Sequence, residues 1–268
     1  MEWRAVKRRR RLLLVLGALA LAGAGCGPRG TPRAEVVVFA AASLRDVAAE
    51  VGAAFEDAHG AAVVLSFAGS NVLARQILAS PQADVFLSAD AAWVEELERA
   101  GRTVGGSRRA IFGNRLVVIA RRDAALGIED LDDLATAGYR HLALADPSAV
   151  PAGRYARACL EATPAGDGNL WQAVAKRVVP ALDVRAALAL VESDPRIAGI
   201  VYATDARSSP EVEILCELPP RPDVAIRYWA VQIAGGPSPD LGRRFLDFVA
   251  GPRAAAIAAR YGFLPPER

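Results

Sequence analysis

The hydrophobic pattern becomes that of a folded protein at residue 36, where a strand pattern precedes a helical one. Residues 36–39 are Val-Val-Val-Phe, an apolar run that predicts a short buried strand. Apolar residues then recur on one helical face, at Leu44, Val47, Val51 and Phe55. Ser43 stands between the two patterns, and we expect it to be the N-cap of the helix. Such a corner can hold an anion on free backbone N–H groups, although an ordinary capping serine is the plainer interpretation of this corner alone.

Strand and helix patterns alternate along the rest of the chain. Further strand patterns occur at 62–67, 84–88, 115–120, 141–145, 198–202, 212–218 and 224–234. Helical patterns follow most of them, and the plainest are at 152–162 and 184–192. Repeats of this kind indicate an α/β fold whose mainly parallel sheets are covered by helices. About eight strands with a similar number of helices suit two lobes better than one compact domain.

Two further strand-to-helix corners could present backbone N–H groups to a ligand. In the first, Gly69 allows close approach of the backbone and Ser70 begins a helix. In the second, Pro151 at a helix start leaves the N–H groups of Ala152 and Gly153 free.

A fourth corner and one strand end complete this set. Asp183 is an expected N-cap for the helix that begins at Val184, and Tyr202 closes a strand and could present its phenol. In doubly wound sheets the ends that follow the strands face one crevice, so these corners can converge with the one at Ser43.

The first 25 residues predict an export signal rather than folded protein. Residues 3–11 are basic, and the apolar run at 12–24 is too short for a comfortable membrane span. We therefore expect residues 1–25 to be a signal peptide and 26–33 a linker. Small residues before Cys26 resemble a lipoprotein signal, so the alternatives are lipidation at Cys26 or plain cleavage in the Ala-rich stretch. Either way we expect a periplasmic protein, or one on the outer face of the cytoplasmic membrane.

The leader also determines the apparent charge. The chain has 32 Lys and Arg against 30 Asp and Glu, but residues 1–25 hold six of the basic residues and one of the acidic ones. The remainder carries 26 basic and 29 acidic residues, a net charge of −3. This balance gives no support to nucleic-acid binding.

Signatures of enzymes and of metal sites are scarce. The sequence contains no GxxxxGK[ST], GxGxxG or GxSxG motif. We expect structural roles for His59 and His141. Cys159 and Cys216 could pair outside the cell, but we expect two small buried apolar residues, and we expect no metal held by side chains.

Asp84 and Asp90 flank one predicted strand. A pair of carboxylates could act as acid and base, but a helix cap and a loop contact are the interpretation we favour.

Motifs along nearly the whole mature chain resemble one known family. They are FAAASL (39–44), SFAGSNVLARQI (66–77), ADVFLSAD (83–90), GNRLVV (113–118), ADPSAVPAGRYA (145–156), DVRAALALVE (183–192), GIVYATDA (199–206) and RYGFLPP (260–266). In this order they are similar to the periplasmic molybdate-binding proteins of ATP-driven importers. The family has a two-lobed binding-protein fold with a ligand cleft between the lobes. The resemblance implies that residues 34–114 with 229–268 form lobe I and that 115–228 form lobe II.

The resemblance also implies a set of ligand contacts. Hydroxyls would come from Ser43, Ser70 and Tyr202, and backbone N–H groups from Ala152 and Val184. No lysine or arginine falls on a contact position, and the ligand would be molybdate, with tungstate expected to bind as well. Gly69 stands where a serine is common in the family.

The implied role is that of a monomeric binding protein that needs no cofactor, and not of an enzyme. Its partners would be the membrane permease and the ATPase of an ABC importer. Two alternatives remain open: a binding protein for another oxyanion such as sulfate, and a sensor or enzyme on the same two-lobed fold.

Overall fold

The structure is a computed structural model that describes residues 33–220 and 225–266. The predicted signal peptide, the lipidation site at Cys26 and all of the linker except Arg33 lie outside the described residues. Within the described part, no helix has both the length and the apolar character needed to cross a membrane.

Strands and helices alternate much as the hydrophobic pattern predicts. The strands are β1 (Glu35–Ala41), β2 (Ala62–Ala68), β3 (Val85–Ser88), β4 (Arg109–Gly113), β5 (Leu116–Arg121), β6 (His141–Ala145), β7 (Pro164–Ala165), β8 (Gly168–Asn169), β9 (Val178–Ala181), β10 (Ile197–Tyr202), β11 (Val212–Glu217) and β12 (Arg227–Gln232). The α-helices are α1 (Arg45–His59), α2 (Ser70–Ala79), α3 (Ala91–Arg99), α4 (Pro151–Ala162), α5 (Leu170–Val174), α6 (Val184–Ser193), α7 (Ala203–Arg207), α8 (Pro239–Val249) and α9 (Pro252–Arg260). Short 3₁₀ helices lie at Ala42–Leu44, Asp132–Ala135 and Ala175–Arg177.

The first lobe is built on a five-stranded sheet in the order β2-β1-β3-β12-β4. β1 is parallel to β2 and β3, whereas β12 is antiparallel to β3 and β4. Alternate residues of β1 face opposite sides: Val36 and Val38 belong to one apolar cluster with α1 and α8, and Phe39 to another with α2 and α3. Both faces of the sheet are therefore covered by helices, which explains the unbroken apolar run at 36–39.

The second lobe has the same design. Its sheet runs β11-β5-β10-β6-β9, with β6 parallel to β9 and β10, and with β5 antiparallel to β10 and β11. Helices α4 and α6 both pack on β6 and β10. Both sheets are therefore mixed. In each sheet the antiparallel strand is the first one after the chain crosses from the other lobe: β5 in the second sheet and β12 in the first.

The chain crosses between the sheets after β4 and again after β11, so the last strand, β12, returns to the first sheet. This arrangement confirms the predicted two-lobed α/β fold, while the exact lobe boundaries at 114/115 and 228/229 stay predictions. The pattern did not indicate β4 and β9, which are edge strands. Pro180 lies in β9, and an edge is where a sheet tolerates proline.

Gly153, in the first turn of α4, sets how closely this helix approaches the end of β6. A Cβ atom at Gly153 would overlap the carbonyl oxygen of Ala145, which is backbone and cannot rotate away. The N-terminus of α4, including the N–H group of Ala152, is therefore positioned by the absence of a side chain.

We expect Gly153→Ala to lower the free energy of unfolding by about 1–3 kcal/mol, measured by urea denaturation, because the overlap forces α4 away from β6. Gly138→Ala is the matched control, since a Cβ there meets nothing within 4 Å and should change stability by less than about 0.5 kcal/mol. Equal stability of the two variants would contradict the close approach.

Candidate functional site

One small cavity between the lobes brings together all five residues that are expected to contact the ligand. These residues are Ser43, Ser70, Ala152, Val184 and Tyr202. They come from five separate segments, and each is between 1 and 4% exposed. The first two belong to the first lobe and the other three to the second, so the cavity is a site that only the pair of lobes can form.

Three helices begin at the cavity and leave their first N–H groups without helical acceptors. In α4 the N–H of Arg154 bonds to Val150 O at 2.9 Å, so the N–H groups of Ala152 and Gly153 precede the helical ladder. In α2 and α6 the helix likewise begins at the cavity-lining residue, Ser70 or Val184. Each start adds partial positive charge, which favours an anion.

Ser43 occupies the expected corner but not the expected capping role. It lies within the 3₁₀ helix Ala42–Leu44, and Leu44 rather than Ser43 is the N-cap of α1. The side chain of Ser43 makes no cap hydrogen bond; its Oγ accepts from the Tyr228 hydroxyl at 3.0 Å. The prediction of an N-cap is therefore wrong, because one extra turn separates the strand from the helix.

The Ser70 hydroxyl is held in a similar way. Its Oγ accepts a hydrogen bond from the N–H of Ala89 at 3.0 Å. A hydroxyl has one proton, so a serine that already accepts from the protein retains that proton for another acceptor.

Tyr202, at the end of β10, brings an unsatisfied hydroxyl to the cavity. It is 1% exposed, and no described residue lies in hydrogen-bonding position for its Oη. Burial raises the pKa of Tyr202 well above its ordinary value, so the phenol keeps its proton. A buried hydroxyl without a partner costs about 1–3 kcal/mol, which makes Tyr202 a donor that still needs an acceptor.

The described residues that line the cavity include no lysine, arginine or histidine. Asp183 also lines the cavity, and its carboxylate accepts the N–H of Ala186 at 2.9 Å and caps α6, as predicted. The cavity volume is about 10 Å³, the space that one water molecule needs. A four-oxygen anion is larger than this space.

The two arginines that follow the cavity residues of α4 and α6 are engaged by aspartates of the opposite lobe. Arg154 pairs with Asp90 at 3.0 Å. Arg185 pairs with Asp46 at 2.6 Å, and with Asp205 of its own lobe at 2.5 Å. These pairs neutralise the nearby cations and connect the lobes on two sides of the cavity.

Asp84 and Asp90 have the structural roles that we favoured. Asp84 is fully buried and accepts the N–H groups of Val37 at 2.8 Å and Ser238 at 2.5 Å. Asp90 is the N-cap of α3, accepting the N–H of Trp93 at 3.2 Å. Burial raises the pKa of Asp90, while Arg154 opposes that rise.

Gly69 permits the lobes to come this close. A Cβ there would lie 3.2 Å from Leu182 O of the second lobe and 2.5 Å from the Asn71 side chain. Glycine at this position is thus compatible with the cavity, whereas a serine would need Asn71 to turn away.

A second, larger cavity of about 270 Å³ offers a different lining. It is lined largely by apolar and proline side chains, and its charged residues Arg115 and Glu217 pair with each other at 3.1 Å. No set of buried donors converges in the described part of that lining, so the smaller cavity is the better candidate.

The chain is similar to known solute-binding proteins in sequence and in fold. A family model described as bacterial extracellular solute-binding protein matches residues 36–264. The molybdate-binding protein ModA of Escherichia coli (strain K12) is 35% identical over 260 residues, which cover 95% of this chain and 98% of that protein. The resemblance inferred from the motifs is thereby confirmed.

Solved structures agree with the fold. The periplasmic molybdate-binding protein of Azotobacter vinelandii superposes with a TM-score of 0.74 at 25% identity, covering 87% of this chain and all of that one. The sulfate-binding protein SubI of Mycobacterium tuberculosis H37Rv superposes with a TM-score of 0.76 at 18% identity, covering 87% of each chain. The second likeness concerns the fold alone.

We expect Arg154→Gln to make stability more dependent on pH, because removing the guanidinium raises the pKa of buried Asp90 further. A carboxyl whose folded pKa exceeds its unfolded value contributes stability that is complete below the unfolded pKa and is lost as the pH rises through the folded one. In denaturant titrations the variant should match the wild type near pH 4 and fall about 1–3 kcal/mol below it at pH 7.

The control is Arg157→Gln, which breaks an exposed pair with Glu161 on the same helix and should cost less than about 0.5 kcal/mol at both pH values. A deficit of Arg154→Gln that is equal at pH 4 and pH 7 would show that Asp90 does not depend on this arginine.

Proposed function

The chain belongs to the family of bacterial extracellular solute-binding proteins, and we propose that it captures molybdate between its two lobes for an ABC importer. Its proposed partners are the importer's membrane permease and ATPase. The proposed place of action is the outer side of the cytoplasmic membrane, in keeping with the family. Lipidation at Cys26 and the monomeric state stay predictions.

The observation that carries this proposal is the buried hydroxyl of Tyr202, which faces a cavity surrounded by other donors. Molybdate is a tetrahedral dianion whose four oxygens are all acceptors at neutral pH. An acceptor-only ligand supplies what the Tyr202 hydroxyl lacks, and it also uses the remaining protons of Ser43 and Ser70.

Neutral donors are sufficient to hold such a dianion. Its removal from water is costly unless its oxygens are hydrogen-bonded again. Each hydrogen bond to a charged partner contributes about 1.5–3 kcal/mol, so three hydroxyls with the N–H groups of Ala152 and Val184 can offset that cost. The helix starts add favourable partial charge at the same place.

The same lining selects among oxyanions. Hydrogen phosphate carries an O–H group, and a cavity lined by donors leaves that proton without an acceptor. Sulfate has no such proton, so its rejection must come from its smaller size. Tungstate has nearly the size and shape of molybdate, and we propose that it binds about as well.

Ligand entry and release require the lobes to open and close. The cavity is lined from both lobes, and the chain passes between the two sheets only after β4 and after β11, a topology compatible with hinge motion of the lobes. Closure of the two lobes around the oxyanion would give the importer a surface that differs between the loaded and unloaded protein. A binding role is preferred over a catalytic one because, among the described residues of the lining, the hydroxyls have no histidine or lysine beside them to act as a base.

Titration with molybdate, tungstate, sulfate and phosphate, followed by intrinsic fluorescence, tests the proposal. Trp93 is a suitable reporter because its indole N–H donates to Ala149 O of the other lobe at 3.1 Å. We expect tight saturable binding of molybdate and tungstate, with sulfate far weaker and phosphate weakest but still measurable at high concentration. Tighter binding of sulfate than of molybdate would favour the sulfate-binding alternative.

We expect Tyr202→Phe to weaken molybdate binding about tenfold or more in calorimetry, because one charge-assisted hydrogen bond is lost. The same change removes an unsatisfied buried hydroxyl, so the ligand-free variant should be at least as stable as the wild type. Ser43→Ala should also weaken binding about tenfold or more, with folding intact.

Tyr139→Phe is the matched control, since Tyr139 is buried and donates to Leu134 O at 2.6 Å, away from the cavity. It should lose stability and keep its affinity, the opposite of Tyr202→Phe. Unchanged affinity in both Tyr202→Phe and Ser43→Ala would refute the assigned contacts.

A further inference from the structure

Behind Ser43 lies a chain of buried side chains that ends at its hydroxyl. Tyr228 of β12 is fully buried, and its hydroxyl donates to Ser43 Oγ at 3.0 Å. Asn114, at the crossing after β4, donates from Nδ2 to the Tyr228 hydroxyl at 3.3 Å and to Thr204 Oγ1 at 2.9 Å. None of these three side chains lines the cavity, so none is a ligand contact.

The direction of this chain is fixed by a backbone group. The N–H of Arg115 donates to Asn114 Oδ1 at 2.9 Å, which determines which end of the amide is the acceptor. The amide NH₂ therefore points to Tyr228, and the Tyr228 oxygen accepts. Tyr228 has one proton, and that proton is left for Ser43. Burial raises the pKa of Tyr228 well above its ordinary value, so the phenol keeps this proton.

At the cavity, this chain of hydrogen bonds leaves the hydroxyl proton of Ser43 available to a ligand. Since Ser43 Oγ accepts the hydrogen bond of the Tyr228 hydroxyl, its own proton is available for an acceptor in the cavity that Ser43 lines. The Ser70 hydroxyl also keeps its proton available, because its Oγ accepts a hydrogen bond from the backbone N–H of Ala89. Both hydroxyls can thus donate toward the cavity. The hydrogen bond that Ser43 accepts comes from the Tyr228 side chain, which a mutation can remove, whereas the one that Ser70 accepts comes from the backbone.

We propose, resting on the proposed function, that Asn114 and Tyr228 are positioning residues that make Ser43 an obligatory hydrogen-bond donor and so set selectivity for fully deprotonated oxyanions. Without the Tyr228 hydroxyl, the Ser43 hydroxyl can rotate and accept a hydrogen bond from an O–H group of the ligand. The loss should then fall on molybdate, whereas a ligand that carries an O–H group should gain an acceptor.

Tyr228→Phe tests this relay in the full-length protein by calorimetry at pH 7, with molybdate and with inorganic phosphate. We expect molybdate affinity to fall about three- to tenfold, the effect of one neutral hydrogen bond, while phosphate affinity stays level or rises. The ratio of the two affinities is informative, because a purely structural defect would weaken both ligands together.

A double-mutant cycle tests whether Tyr228 affects molybdate affinity through Ser43. In a Ser43→Ala background, Tyr228→Phe should cost no further molybdate affinity, since the residue through which it acts is gone. Tyr139→Phe, which removes another buried phenol, is the control and should leave both affinities unchanged.

Asn114→Asp reverses the relay with little change of shape. The new carboxylate oxygen in place of Nδ2 accepts a hydrogen bond from the Tyr228 hydroxyl, so Ser43 loses its donor although the side chain keeps its shape. We expect molybdate affinity to fall as far as in Tyr228→Phe. Thermal unfolding of each variant shows whether it is folded, so a folding defect in one leaves the other as the test.

Wild-type affinity and selectivity in Tyr228→Phe, or an equal loss with and without Ser43, would overturn the relay alone. Failure of the wild-type protein to bind molybdate would instead overturn the proposed function, and the relay with it.

Discussion

A buried anion without a counter-charge can be held only where each of its oxygens meets a hydrogen-bond donor. This constraint explains why the site is made from strand ends and helix starts rather than from basic side chains. Helices α2, α4 and α6 each begin at the cavity, and Ser43 and Tyr202 add hydroxyls at the ends of two strands. Since three of the five proposed contacts lie in one lobe and two in the other, a complete set of these donors exists only when the lobes meet. On the proposed function, ligand binding and lobe closure occur together.

The arginines beside the cavity obey the same constraint. Arg154 and Arg185 follow contact residues closely in the sequence, and a free guanidinium there would attract any anion regardless of its protonation or size. Each is instead paired with an aspartate of the opposite lobe, Asp90 or Asp46. The charges that could compete with the proposed neutral donors therefore connect the lobes instead.

Much of the fold, and the corners that line the candidate site, could be predicted from local patterns. Strand and helix starts carry their own signals: the apolar run at 36–39, Pro151 at the first position of α4, and Asp183 at the cap of α6. Ser43 lies at the corner after β1, as predicted, but the prediction that it caps α1 was wrong. A single 3₁₀ turn such as Ala42–Leu44 is too short to leave its own hydrophobic pattern in the sequence.

The relay behind Ser43 could not be found in this way. Tyr228 appears in the sequence as one more aromatic residue of a buried strand. Its partner Ser43 lies 185 residues away, and the two meet only because the chain returns to the first sheet after crossing the second lobe. Pairings made by such a crossing leave no local pattern, and the same is true of Arg154 with Asp90 and of Arg185 with Asp46.

The most direct test of a neutral oxyanion site is a crystal of the protein with molybdate, measured at the molybdenum absorption edge. We expect one strong anomalous peak within the cavity, with ligand oxygens about 2.7–3.2 Å from the proposed donors of Ser43, Ser70, Ala152, Val184 and Tyr202. A peak held instead by the guanidinium group of Arg154 or Arg185, or one outside the cavity, would contradict this account.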